Sequence, residues 1–156
     1  MKVINEMTVS FKAISVNEAF ARSLVAAFCV QANPTLDEIT DIKTAVSEAV
    51  TNSVVHAYPK NTGDVTLNVK LYENGALITV SDTGIGISNF EKAREPFFTT
   101  KPNEERSGMG FTVMETFMNS VEVKKNGNHG VKIQMFKNFG ENKKIVGEWC
   151  LTMNPP

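Results

Sequence analysis

Residues 35 to 58, TLDEITDIKTAVSEAVTNSVVHAY, constrain the fold more than any other stretch. Thr35 followed by Glu38 reads as a capping box. Leu36, Ile39, Ile42, Val46, Ala49, Val50 and Ser53 then recur at helical spacing, predicting an amphipathic helix that ends near Tyr58-Pro59. A helix with one apolar stripe must bury that stripe against a second layer. The opposite face is polar: at about 100° per residue, Glu48, Asn52 and His56 fall within about 80° of one another.

The second layer is legible around it. Met7, Val9, Phe11 and Ala13 alternate as in a half-buried strand. Ser15 and Glu18 read as another capping box, opening a helix on Phe20, Leu24, Ala27 and Phe28 that Asn33-Pro34 stops. Val65, Leu67, Val69 and Leu71 alternate, Glu73-Asn74-Gly75 turns the chain, and residues 76 to 81 return as an antiparallel partner leading into Asp82. Phe111, Met114, Phe117 and Met118 mark a helix over 109 to 118, and a last hairpin joins 120–125 to 131–137. This order predicts an α+β fold, a two-layer sandwich with helices on one face of a mixed, mostly antiparallel sheet. One domain is expected over residues 1–138, followed by a tail, 139–156, whose Trp149 is available for packing.

Charge and composition narrow the partners. With 16 basic and 17 acidic residues the net charge is -1, which disfavours nucleic acid and anionic membranes. The longest apolar run, Leu24 to Val30, is too short to span a bilayer, and MKVINEMTVSFK lacks a signal-peptide core, so a cytoplasmic location is expected. Cys29 and Cys150 have no metal spacing and read as reduced thiols.

Two glycine clusters carry the chemistry. Asp82-Thr83-Gly84-Ile85-Gly86 ends a strand: its glycines clear a surface for a flat ligand, and its carboxylate can accept from an exocyclic amine, as a purine offers. Arg106-Ser107-Gly108-Met109-Gly110 opens a helix, where backbone N–H groups and the dipole favour phosphate. The sequence contains neither a P-loop nor a dinucleotide fingerprint.

Taken in order, E-x-x-x-N at Glu48 and Asn52, D-x-G-x-G at Asp82, Gly84 and Gly86, and G-x-G at Gly108 and Gly110 resemble the N, G1 and G2 boxes of the ATPases and kinases typified by gyrase and the histidine kinases. VSEAVTNSVVHAY, FFTTKP and ERSGMGF are similar, more narrowly, to the small bacterial anti-sigma factors that are also serine kinases, above all the anti-sigma F factors of spore formers. The resemblance spans about residues 7 to 137. It implies ATP and Mg2+ as cofactors, a sigma factor of the sigma F type as partner, an anti-anti-sigma protein phosphorylated on serine, and a homodimer.

Residue roles follow from the same resemblance. Asn52 is the implied Mg2+ ligand, Glu48 the general base, and Asp82 the acceptor for the adenine amino group, with Gly84 and Gly86 shaping the pocket. His56 is expected to contact phosphate. Residues 88 to 107 form the implied ATP lid, with Thr99, Thr100, Lys101 and Arg106 as donors, and Ser107, Gly108 and Gly110 meet the terminal phosphates. Arg22 is a candidate partner contact. One departure stands out: where relatives carry a Gly-Thr pair whose hydroxyl supports the adenine-binding aspartate, this chain has Gly130-Val131-Lys132. The competing reading is a pure binding module in which ATP organises a sigma-holding surface; a carboxylate at Glu48 argues for the enzyme. A histidine kinase would need dimerisation helices that the sequence lacks, and a gyrase-like or chaperone ATPase would need further domains.

Overall fold

The computed structural model describes residues 1–89, 95 and 109–140. In chain order it contains β1 (Asn5–Lys12), α1 (Val16–Cys29), α2 (Leu36–Asn52), β2 (Asp64–Tyr72), β3 (Gly75–Asp82), α3 (Gly110–Phe117), β4 (Ser120–Lys125) and β5 (Val131–Asn138). The strands form one sheet in the order β1-β2-β3-β5-β4, and every neighbouring pair is antiparallel.

Alternation along the strands decides which face is covered. Val65, Leu67, Val69 and Leu71 of β2 pair across β3 with Asp82, Val80, Ile78 and Ala76, and Val80 and Ile78 pair in turn with Ile133 and Met135 of β5. These side chains meet Ala21, Val25 and Cys29 of α1, Ile42, Val46, Ala49 and Val50 of α2, and Phe111 and Met114 of α3. Each large aliphatic fully buried there contributes about 1.5–3 kcal/mol. A small second cluster, Tyr72, Leu77 and Phe136, lies apart from this core.

The two predicted capping boxes part company. At α2 it forms in full, with the Thr35 hydroxyl accepting from Glu38 N at 3.2 Å and Glu38 Oε2 accepting from Thr35 N at 2.8 Å. At α1, Ser15 is itself helical and makes no side-chain cap bond. Glu18 accepts instead from the Arg22 guanidinium at 3.3 Å and from the Ser47 hydroxyl of α2, charged and inter-helical partners that outcompete a cap. The buried line of α1 also differs from the expected one. Ala21, Val25 and Cys29 face α2, where small residues allow close approach, whereas Phe20 is 48% exposed and meets Phe11 edge-on at 6.0 Å. Leu36, expected in the core stripe, is 86% exposed in the first turn of α2.

The chain order places the site. β1, β2 and β3 run as a meander, but β5 returns between β4 and β3, so the Gly130–Val131 turn abuts the end of β3 at Asp82. Beyond Asn138, Phe139 is buried and donates to Asn74 O at 2.8 Å, while Gly140 N donates to Glu38 Oε1 at 2.9 Å, so both residues dock on the domain.

Candidate nucleotide-binding site

Asp82 closes β3 with its carboxylate turned into the helix-facing layer, 4% exposed. Three donors hold it: Gly84 N at 3.1 Å and Val131 N at 3.2 Å reach Oδ1, and the Ser53 hydroxyl reaches Oδ2 at 2.9 Å. The turn that follows is pinned by its own backbone. Ile85 N donates to Ala57 O at 2.9 Å, and a side chain on Gly84 would overlap the Ala57 backbone, which is why a glycine stands there. A side chain on Gly130, at φ +89°, would likewise overlap Asp82 O, and the Asn126 amide donates to that oxygen at 2.7 Å. An open hollow of about 460 Å³ adjoins the turn, between Tyr58, Thr83, Ile85 and His129.

The second half of the site lies where α2 meets the start of α3. Glu48 and Asn52, one turn apart on α2, both face Gly110: a β-carbon on that glycine would lie 3.2 Å from Glu48 Oε2 and 3.5 Å from Asn52 Oδ1. The polar face inferred from four-residue spacing therefore holds for Glu48 and Asn52. It changes at residue 53, because Ser53–Ala57 form a π turn, so His56 no longer follows the α-helical phase. Single π turns inside helices concentrate at functional sites. Gly86, at φ +78°, sits against Gly130.

These residues suit a nucleotide. Asp82 retains acceptor capacity for one more N–H, and at the corner of Glu48 and Asn52 the residue they both face, Gly110, carries no side chain. Among the described residues no three Cys, His, Asp or Glu side chains cluster to hold a metal. A Mg2+ held at Asn52 would need few protein ligands, since this ion usually keeps several waters and binds phosphate oxygens. Thr99, Thr100, Lys101, Arg106, Ser107 and Gly108, like nearly all of the 88–107 lid, lie outside the described residues, as does the tail from residue 141. Arg22 lies on α1 in an ion pair with Glu18, tied through Glu18 to Ser47, the neighbour of Glu48.

Two contributors escape sequence reasoning. Ser53 reads as a small core residue, yet its hydroxyl donates to the Asp82 carboxylate. Tyr58 reads as a helix stop, yet its hydroxyl donates to Asp64 O at 2.7 Å and accepts from Thr83 N at 2.9 Å, clamping the turn after Asp82 to the start of β2. Gly63 leaves room for its ring. Only the tyrosine's nearness to a glycine-bearing loop hints at this.

Residues 11–137 match the histidine kinase-like ATPase domain family. Among curated proteins, the anti-sigma F factor of Bacillus subtilis is 48% identical over 142 residues, which is 90% of this chain and 97% of that protein. The anti-sigma F factor of Bacillus thuringiensis is 54% identical over 134 residues, 85% of this chain and 92% of that protein. The chain belongs to the anti-sigma F factor family. The family match takes in Arg22, Glu48, Asn52, Asp82 and Gly110. Solved structures agree on the fold. The RsbU and RsbW domains of Rv1364c from Mycobacterium tuberculosis superpose with a TM-score of 0.64 at 16% identity, covering 88% of this chain and 33% of theirs. The catalytic domain of histidine kinase ThkA gives 0.57 at 18% identity, covering 88% and 99%. Among the described residues no helix is long and apolar enough to cross a membrane.

Proposed function

We propose that this family member binds and inhibits a sporulation sigma factor of the sigma F type and, as an ATP-dependent serine kinase, phosphorylates the anti-anti-sigma protein that opposes it. Near 50% identity to anti-sigma F factors over almost the full length of both chains supports the partner. The single observation that carries the enzymatic half is the corner where Glu48 Oε2 and Asn52 Oδ1 converge on Gly110. A carboxylate beside the proposed metal ligand repels phosphate, so its placement there argues for a part in the reaction.

In this reading ATP with Mg2+ supplies the phosphoryl group and neutralises its charge. Asp82 holds the adenine amino group, Gly84 and Gly86 shape the pocket by letting the turn lie close against Ala57 and Gly130, and Asn52 offers its amide oxygen to the metal. Glu48 takes the proton from the attacking serine hydroxyl, and His56, Ser107, Gly108, Gly110 and the lid donors Thr99, Thr100, Lys101 and Arg106 surround the phosphates. Phosphoryl transfer asks mainly for such positioning and charge stabilisation. Arg22 meets the sigma factor, its guanidinium oriented by Glu18, and the active form is a homodimer in the cytoplasm. The test is direct: incubate the purified chain with γ-labelled ATP, Mg2+ and candidate anti-anti-sigma proteins. Label on a serine of one of them is expected, and no transfer to any would remove the kinase half.

A further inference from the structure

Among the described residues, the two polar side chains buried with the core are Ser53 and Asp82, both 4% exposed, and they are bonded to each other. A serine hydroxyl at such a position is tolerated only when it is paired. Here its proton is committed to Oδ2 at 2.9 Å, from the first residue of the π turn. The hairpin side offers Asp82 no hydroxyl. One step beyond the Ser81↔Lys132 pair, Val131 stands beside Asp82 with an apolar side chain 8% exposed, and only its N–H reaches the carboxylate.

Counting acceptor sites gives the consequence. A carboxylate has about four lone-pair positions, two on each oxygen. Gly84 N and Val131 N fill those of Oδ1, and Ser53 fills one on Oδ2. One remains, on Oδ2, and it accepts only a donor. Adenine carries an amino group where guanine carries a carbonyl oxygen. We propose that Ser53 is a positioning residue for base selection: from the α2 side its hydroxyl fixes the Asp82 carboxylate with one acceptor site open, so that an adenine amino group is taken and guanine refused. The proposal rests on Asp82 as the base-binding residue and deepens that reading.

The test uses calorimetric titration of the full-length chain with ADP and GDP, both with Mg2+, on wild type, Ser53→Ala, Ser53→Thr and the double variant Ser53→Ala/Val131→Thr, with thermal unfolding run on each. Ser53→Ala is expected to bind ADP roughly tenfold more weakly, the worth of one hydrogen bond, and to lose part of its preference for ADP over GDP. Ser53→Thr keeps the hydroxyl and should retain both. Val131→Thr, close to isosteric, returns a hydroxyl from the hairpin side and should restore most of the loss in the double variant. A purely structural serine would not be replaced by a hydroxyl on β5, across the site from the π turn. Wild-type ADP affinity and preference in Ser53→Ala, or equal losses in Ser53→Thr and Ser53→Ala, would overturn the role of Ser53 while leaving Asp82 in place. A wild-type chain that binds neither nucleotide overturns the base-binding reading itself and the proposal with it.

Discussion

The first residue of α3, Gly110, faces Glu48 so closely that a β-carbon on it would lie 3.2 Å from the carboxylate Oε2. The Gly110 backbone does not have a positive φ, so alanine fits the chain and is the better helix former. Gly110→Ala should therefore leave stability unchanged or slightly raised. The added methyl group narrows the corner between Glu48 and Asn52, and ATP affinity should fall by roughly tenfold or more, the scale on which small misplacements act. Calorimetry and thermal unfolding on the one variant check both. Equal loss of stability and binding would mean that the glycine serves packing alone.

Asp82→Asn tests the other end of the site. An amide has one acceptor oxygen, whereas Ser53, Gly84 and Val131 aim three donors at the two carboxylate oxygens. With its oxygen toward Gly84 N and Val131 N, the amide turns its NH2 to the Ser53 hydroxyl, which can accept it, and the three charge-assisted bonds become neutral ones; the same NH2 then meets an adenine amino group donor to donor. The cost should be about 1–3 kcal/mol in urea unfolding, together with about 1.5–3 kcal/mol of adenine-nucleotide affinity. Unchanged ADP binding would show that Asp82 does not receive the base.

How much of this was legible in the sequence depends on whether neighbours along the chain decide a feature. The Thr35–Glu38 capping box, both hairpins and the Glu48–Asn52 pair follow from local spacing, and the structure contains them. The equally good Ser15–Glu18 signature failed because Ser47, far along the chain, takes Glu18. The buried line of α1 shifted by one residue because helix packing against α2 selected Ala21 and Cys29 over the larger Phe20. Ser53 and Val131 acquire meaning only once β5 returns beside β3, a topological fact that no periodicity encodes.

Lys137 links three elements. It occupies a helix-facing position near the end of β5, where Nζ donates to Asp41 of α2 at 2.6 Å and to the Phe117 carbonyl at the end of α3 at 2.7 Å. Its side chain is 13% exposed and that of Asp41 27%. Lys137→Met keeps the stem and removes the charge, leaving Asp41 and a helix-terminal carbonyl without this donor. Since Asp41 keeps some contact with water, the expected loss is about 1–3 kcal/mol, below that of a fully buried pair. Urea midpoints for the two proteins measure it, and equal midpoints would count against the linkage.

Burial pushes the Cys29 thiol from 9.0 up to about 12. The unfolded chain therefore releases this proton first as pH rises. The contribution of the neutral buried thiol to stability is complete below pH 9 and is lost progressively toward pH 12. Cys29→Ala should show a flatter stability curve than the parent across that alkaline window and a parallel one below it. Parallel curves throughout would contradict the burial argument.

Glu48 decides between a kinase and a chain that only binds, and one paired measurement on Glu48→Gln tests this most directly. The amide preserves the shape of the corner beside Asn52 and Gly110 but cannot accept the serine proton. The rate of serine phosphorylation of the anti-anti-sigma protein should fall by roughly 10² to 10⁴, while calorimetric affinities for ATP and for the sigma factor stay near those of the parent. Phosphorylation at the parental rate would contradict the account.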